Sequence, residues 1–224
     1  MQFMNLKMFL ALLVIVLAVA AAFYFKPWDK NSTDDIKASE LLMENKTEDK
    51  NMSGRETKNP QVTAKTNMGE IVLELYMDKT PITSGNFIKL AKAGFYDGTK
   101  FHRVIDGFMI QGGDPESKGN DTSLYGRGGP GYTIQDEFVN GLSNVRGTIS
   151  MANTGEPNSG GSQFFINLID NTGLDFDKPP FTSSHPVFGR VLAGMDVVDA
   201  IAKTATGSGD IPINPVIIEK ILIQ

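Results

Sequence analysis

The chain has 224 residues, of which 41% are hydrophobic and 21% are charged, a balance typical of a globular chain with one core and a tail. It contains no cysteine, which excludes disulfides, thiolate nucleophiles, cysteine–zinc sites and lipid attachment through cysteine. The net charge is −5, and residues 61–224 hold the whole deficit. An acidic domain without a basic stripe argues against a nucleic-acid partner.

An uninterrupted apolar run covers residues 8–25 and is bounded by Lys7 and Lys26. Spanning a bilayer takes about 20 such residues, with about 17 as the lower limit. The run predicts a hydrophobic helix within a targeting segment, residues 1–28, which is either retained as a signal anchor or cleaved as a signal peptide. The retained anchor is favoured because the run reaches spanning length. We therefore expect a domain outside the cytoplasm, held to the membrane through residues 8–25, or secreted if the segment is cleaved.

Residues 29–60 are rich in Asp, Glu, Lys, Asn, Ser and Thr and carry few large apolar side chains. Such a composition predicts a flexible, solvated tether. A flexible coil of this length has an r.m.s. reach of roughly 30 Å. The folded domain is then expected over residues 61–224.

The domain begins with a predicted hairpin, in which residues 61–65 and 70–76 alternate between apolar and polar side chains with the period of a strand. A helix is predicted to follow, with Thr80 as its N-cap and Pro81 at its first position.

Short apolar runs separated by glycine-rich turns make up most of the remaining chain, and each predicts a strand. They cover residues 101–105, 108–111, 148–152, 163–168, 187–191 and 216–223. One further helix is predicted around residues 195–202. Many short strands with two helices indicate a mainly β fold, closed into an antiparallel barrel that leaves no exposed edges.

Six glycine-rich residues, 126–131, satisfy the dinucleotide-binding pattern G-x-G-x-x-G. No clear strand precedes them, and Pro130 with the following Tyr-Thr-Ile does not suit a helix. We interpret this segment as a turn.

Two longer stretches carry a family resemblance: Phe101–Asp114, and Ser150–Gly155 followed by Gly161–Asn167. They resemble the two signature stretches of the cyclophilin family, and the similarity runs from about residue 62 to the C-terminus with the motifs in order. The resemblance implies an eight-stranded cyclophilin-like barrel capped by two helices. It also implies peptidyl-prolyl cis-trans isomerase activity without a cofactor or a metal.

The resemblance assigns Arg103 as the donor to the prolyl nitrogen, Gln111 as the residue that orients this arginine, and His102 as a further residue of the site. A guanidinium suits the role of donor because it is permanently charged and rigidly forked. Four side chains match positions that line the proline pocket: Phe108, Met109, Phe165 and Leu174. Positions that match other substrate contacts are Gly126, Ala152, Asn153 (largely through its main chain), Thr154, Gln163 and His185.

Two functional hypotheses remain open at this point. The first is an isomerase that acts as a monomer on proline-containing peptides and unfolded clients and assists folding outside the cytoplasm. The second is a membrane-tethered proline-peptide binding module, or a chaperone with incidental catalysis. Intact Arg103, Phe108, Gln111 and Phe165 favour the first. The second stays open because Gly173 stands where the best-studied members carry a tryptophan that contacts cyclosporin.

Overall fold

The computed structural model describes residues 59–180 and 183–224. The predicted targeting segment, residues 1–28, and nearly all of the predicted tether lie outside the described residues, so both stay predictions. Within the described part of the chain, no helix combines the length and the apolar character that crossing a membrane requires.

The described residues form eight strands and two α-helices, each where the apolar runs predict it. The strands are β1 (Gln61–Thr66), β2 (Gly69–Leu75), β3 (Arg103–Ile105), β4 (Met109–Gly112), β5 (Thr148–Met151), β6 (Phe164–Asn167), β7 (Val187–Ala193) and β8 (Ile218–Ile223). The helices are α1 (Pro81–Lys92) and α2 (Met195–Ala202). All strand pairs are antiparallel and form one sheet in the order β3-β4-β6-β5-β7-β2-β1-β8.

The predicted closure of the barrel is wrong, because β3 and β8 are the two edges of the sheet and do not form a ladder with each other. The segment before β3 meets the start of β8 through an isolated bridge between Lys100 and Ile217 and through backbone hydrogen bonds of Gly98 and Thr99 with Ile218. The physical reason is the length of β3, which has three residues and ends in the turn to β4. The sheet is therefore open along most of this seam.

One face of the curved sheet encloses the hydrophobic core. On the strands that concern the site, this inner face carries Val104, Ile110, Ile149 and Ile166, each no more than 2% exposed. Their neighbours along each strand point to the opposite, outer face, because side chains alternate in a strand. Helix α1 packs against β7 and β8, whereas α2 packs against β2, β3 and β4.

The N-terminus of α1 is capped differently from the prediction. Thr80 precedes the helix, but its side chain makes no capping hydrogen bond and instead donates to the carbonyl of Tyr76 at 3.0 Å. The carboxylate of Glu137, from a distant loop, accepts from the N–H groups of Ile82 and Thr83 at 3.0 and 2.7 Å. A carboxylate is well suited to these first free N–H groups, since the helix dipole is positive at this end.

Candidate active site

Three predicted site residues lie side by side across the outer face of the sheet. Arg103 on β3 pairs directly with Gln111 on β4, and Gln111 pairs with Phe165 on β6. Directly paired residues of antiparallel strands project to the same side, with Cβ atoms about 4.5–5.5 Å apart. The register therefore sets a cation, an amide and an aromatic ring in one row.

A cluster of apolar side chains, those of Phe108, Met109 and Phe165, adjoins this row. Met109 and Phe165 are 2% and 4% exposed, yet neither belongs to the cluster of residues that forms the core. They are buried on the outer face, where Met109 lies two positions along β4 from Gln111. Phe108 precedes Met109 in the turn between β3 and β4, is half-buried, and donates its N–H to the carbonyl of Ile105 at 3.0 Å.

His185 packs against this apolar cluster. Its ring meets Phe165 edge-on with the centroids 5.2 Å apart. The ring is fixed at both nitrogens, since Nδ1 lies 3.0 Å from the carbonyl oxygen of Met151 and Nε2 lies 2.7 Å from Oγ of Ser183. Burial lowers the pKa of His185, so the neutral form is favoured. The backbone N–H of His185 donates to the carbonyl of Leu174 at 3.0 Å, and this bond connects Leu174, the fourth predicted pocket residue, to His185.

The buried carboxylate of Asp175 accepts hydrogen bonds from the loops next to this cluster. Asp175 accepts from Oγ of Ser143 at 2.5 Å, from the backbone and side chain of Asn144 at 2.7 and 2.9 Å, and from Lys178 at 2.9 Å. Burial by itself raises the pKa of Asp175, but these hydrogen bonds outweigh it and the pKa is lowered. Asn144 also donates to the carbonyl of His185 at 3.2 Å, so hydrogen bonds connect Asp175 with His185 through Asn144.

A second set of amides continues this network towards the sheet. Asn171 donates to the carbonyl of Phe108 at 2.8 Å and to the side chain of Asn167 at 2.8 Å. Ser150 donates to Oδ1 of Asn144 at 2.7 Å. Sequence reasoning missed these supporting residues, because scattered asparagines carry no periodic signal and their partners lie far apart in the chain.

Gln111, the middle residue of the row, also lines a groove with a cavity volume of about 230 Å³. Nε2 of Gln111 donates to Oε1 of Gln163 at 3.0 Å, and Nε2 of Gln163 donates to the carbonyls of Gly126 and Gly128 at 3.0 and 2.8 Å. This chain of bonds fixes which end of each amide faces the groove. Six of the predicted site residues line it: Gln111, Gly126, Ala152, Asn153, Thr154 and Gln163.

Asn153 has a side chain that is already occupied by protein. Its Nδ2 donates to the carbonyl of Ser184 at 2.7 Å, and its Oδ1 accepts from the N–H of Gly155 at 3.1 Å. Among the described residues, its own backbone N–H and C=O bond to no other backbone group. The main chain of Asn153 is therefore the part that can hold a ligand, as the resemblance implies.

Further groove residues come from the glycine-rich segment, from the loop after it and from the loop between β5 and β6, and sequence reasoning did not select them. They are Arg127, Gly128, Gly129, Pro130, Tyr132, Thr133, Ser159, Gly161 and Ser162. Residues 126–131 form a loop with no helix after it, as their interpretation as a turn predicts. The clustering of glycines was the available signal, because backbone without side chains lets a ligand approach closely.

The structure does not bring His102 to the groove. Its side chain is 3% exposed, and neither ring nitrogen has a hydrogen-bond partner among the described residues. The ring lines a separate cavity of about 160 Å³ and lies 6.4 Å from the ring of Tyr125. Burial lowers its pKa. Its predicted role at the site thus stays a prediction without support from the geometry.

Comparison with known proteins agrees with this architecture. The sequence model of the family described as cyclophilin type peptidyl-prolyl cis-trans isomerase/CLD matches residues 61–223. A peptidyl-prolyl cis-trans isomerase of Acinetobacter baylyi is 43% identical over 170 residues, which are 74% of this chain and 86% of that protein. Peptidyl-prolyl cis-trans isomerase B of Escherichia coli is 45% identical over 170 residues, covering 73% of this chain and 99% of that protein.

Solved structures show the same similarity. The crystal structure of a cyclophilin type peptidyl-prolyl cis-trans isomerase of Cryptosporidium parvum matches with a TM-score of 0.65 and 32% identity, over 74% of this chain and 98% of that one. A crystal structure of that protein in the presence of the dipeptide ala-pro matches with a TM-score of 0.64, over 73% of this chain and 98% of that one. The chain therefore belongs to the cyclophilin-type peptidyl-prolyl cis-trans isomerase family and is an enzyme that isomerises X–Pro peptide bonds.

Proposed function

We propose that Arg103 is the catalytic residue of this isomerase and acts as a donor to the prolyl nitrogen. The observation that carries the proposal is the row Arg103–Gln111–Phe165, in which strand pairing sets a permanent cation one strand away from an amide and two strands away from an apolar wall. The arrangement contains what the reaction needs, and the reaction needs neither a nucleophile nor a metal.

The barrier to rotation is about 18–20 kcal/mol because twisting the bond destroys the resonance of the amide. As the bond twists, the nitrogen lone pair is no longer shared with the carbonyl, and the nitrogen becomes pyramidal and basic. A guanidinium placed beside it stabilises this state more than the planar ground state, which is the requirement for catalysis. The apolar side chains of Met109 and Phe165 would hold the pyrrolidine ring while the X–Pro bond rotates.

The flanking peptide is proposed to lie along the groove, held by backbone groups of Asn153 and by Oε1 of Gln163, which can accept a second hydrogen bond. These groups bind the flanking peptide in both isomers, and the carbonyl before proline stays free to turn while the prolyl ring is held. The solved Cryptosporidium parvum protein studied with ala-pro supports a proline-containing peptide as the ligand.

The test is a proline-isomerisation assay on the full-length chain with Arg103→Ala. Loss of one transition-state donor is expected to lower kcat/KM by about 100-fold to 1,000-fold. The matched control is Arg190→Ala on β7; Nε of Arg190 lies 2.8 Å from a carboxylate oxygen of Glu74. Arg190→Ala should leave kcat/KM unchanged. Equal activity of Arg103→Ala and the wild type would refute the role of Arg103.

The biological setting proposed for this enzyme is the folding of exported or membrane-adjacent chains outside the cytoplasm. Support comes from the apolar run at residues 8–25, which has spanning length, and from the polar residues 29–60 between it and the domain. Fractionation of cells, followed by the intact mass of the protein, tests the anchor. A membrane-bound protein that retains Met1–Phe25 is expected, whereas a soluble protein lacking these residues would contradict the anchor.

A further inference from the structure

Two ion pairs join the β3–β4 hairpin to the segment that follows α2. Lys203 lies 2.6 Å from a carboxylate oxygen of Asp106, at the turn of the hairpin. Nε of Arg103 lies 3.5 Å from a carboxylate oxygen of Asp210. The segment after α2 therefore contacts the β3–β4 hairpin at two points, at Asp106 in its turn and at Arg103 in the proposed site.

Asp210 approaches the guanidinium at Nε rather than at the two terminal nitrogens. A guanidinium has five N–H donors in a rigid fork, and a contact at Nε leaves the donors of the terminal nitrogens available to another acceptor. The carboxylate thus holds Arg103 without occupying the part of the fork that a substrate would use.

The backbone conformation of Asp210 is unusual. Asp210 has φ 60°, in the left-handed region, and ends the 3₁₀ turn Ser208–Asp210, which packs against β3. For an L-residue this region is unfavourable, and Asp and Asn tolerate it better than most. A residue held in such a conformation at the edge of a site is a reason to test it for a function.

We propose that Asp210 is a positioning residue, which acts through Arg103 by restraining its guanidinium through the contact at Nε. This inference rests on the proposed catalytic role of Arg103. The two side chains are 43% and 47% exposed, so the pair is partly screened by solvent and its effect is modest.

A competing effect of the carboxylate has the opposite sign. A negative charge beside the guanidinium also weakens the positive potential that stabilises the pyramidal nitrogen. If that effect dominated, removing the charge would raise the rate. Positioning predicts that removing it lowers the rate, so the direction of the change separates the two.

The experiment compares Asp210→Asn with Asp106→Asn in the full-length chain. Asn keeps the left-handed turn and the side-chain shape, and removes only the charge. Asp210→Asn is expected to lower kcat/KM about twofold to fivefold, mainly through kcat, the range open to an exposed ion pair. Asp106→Asn breaks the sister pair to Lys203 and should leave kcat/KM unchanged, because that pair does not touch Arg103.

Two further measurements separate positioning from loop docking and from the role of Arg103. Raising the ionic strength from about 0.01 M to about 1 M shortens the screening length from roughly 30 Å to 3 Å, and should bring the wild-type kcat down towards that of Asp210→Asn. In an Arg103→Ala background, assayed at higher enzyme concentration, Asp210→Asn should have no effect.

Four outcomes would overturn the proposal. They are an unchanged or raised kcat in Asp210→Asn, an equal loss in Asp106→Asn, a wild-type kcat insensitive to salt, and an equal loss in the Arg103→Ala background. If Arg103→Ala loses activity but Asp210→Asn does not, only the positioning role fails. If Arg103→Ala keeps its activity, the proposed function fails as well.

Discussion

The two faces of strands β3, β4, β5 and β6 carry different kinds of side chain. The inner face presents Val104, Ile110, Ile149 and Ile166 to the core, where only close packing is required. The outer face presents Arg103, Gln111 and Phe165, together with Met109, under a cover of loops. Adjacent residues of one strand therefore lie on opposite faces, one in the core and the other in the proposed catalytic site.

The outer face teaches that a buried residue need not be a core residue. Met109 and Phe165 are as inaccessible as the core, yet their cross-strand partners, Asn167 and Ser150, belong to a polar network that includes Asp175. Hydrogen bonds are directional, so this network fixes the positions of the loops that complete the site. Substitutions on the two faces should accordingly separate stability from activity.

The largest effect is expected on the inner face. Ile110→Ala should lower the free energy of unfolding by about 2–5 kcal/mol, because it removes buried methylene groups and leaves a cavity. The protein that remains folded should keep its kcat. Denaturant titration measures the first and an isomerisation assay below the transition measures the second. The control Ile169→Ala, at a side chain 45% exposed, should change stability by less than about 0.5 kcal/mol.

The next effect concerns the polar network. Asp175→Asn should cost about 1–3 kcal/mol at neutral pH, because it leaves buried donors of Ser143 and Asn144 poorly matched. The lowered pKa means that the carboxylate stabilises the folded state fully above its unfolded pKa of about 3.9, and that this is lost as the pH falls through the folded value. The gap in stability between wild type and variant should therefore narrow below about pH 4. A constant gap would show that the charge is irrelevant.

Gln111 is the residue next to Ile110 and tests the other face. Gln111→Ala should lower kcat/KM about tenfold, since it removes the side chain next to Arg103 in the row and the hydrogen bond of 3.0 Å to the amide of Gln163. Its free energy of unfolding should change by less than about 1 kcal/mol, because one partly exposed hydrogen bond is lost. Gln61→Ala on β1 is the control and should match the wild type in the assay. If Gln111→Ala unfolded as readily as Ile110→Ala, the division of labour between the faces would be wrong.

The smallest effect is the response to mild acid. Burial lowers the pKa of His102 and of His185, so folding favours their neutral forms. Their contribution is complete above the unfolded pKa of about 6.5 and is lost as the pH falls through the folded values. We expect the free energy of unfolding to drop by about 1 kcal/mol between about pH 7 and pH 5.5. His102→Phe should flatten part of this slope, and an unchanged slope in that variant would exclude His102 as a source.

Much of the secondary structure followed from local pattern. The strands around Ile110 and Ile166 and the helix at Met195–Ala202 lie where apolar runs and helical spacing predict them, since both signals are contained in adjacent residues. The closed barrel was not correct, because whether β3 and β8 meet depends on how far β3 extends beside its neighbour. The cap of α1 was assigned to Thr80, and the actual acceptor, Glu137, lies 55 residues from Ile82 in the chain.

By itself, the sequence determined where the chain forms strands and helices, and it held the motifs whose chemistry suits proline isomerisation. Only the tertiary structure decided which predicted site residues share a surface: it joined Arg103 to Gln111 and Phe165, left His102 in a separate cavity, and brought Asp210 to the guanidinium. The physical reason is range. Alternation and helical spacing act between neighbours along the chain, whereas registers, ion pairs and buried hydrogen bonds form between segments that only folding brings together.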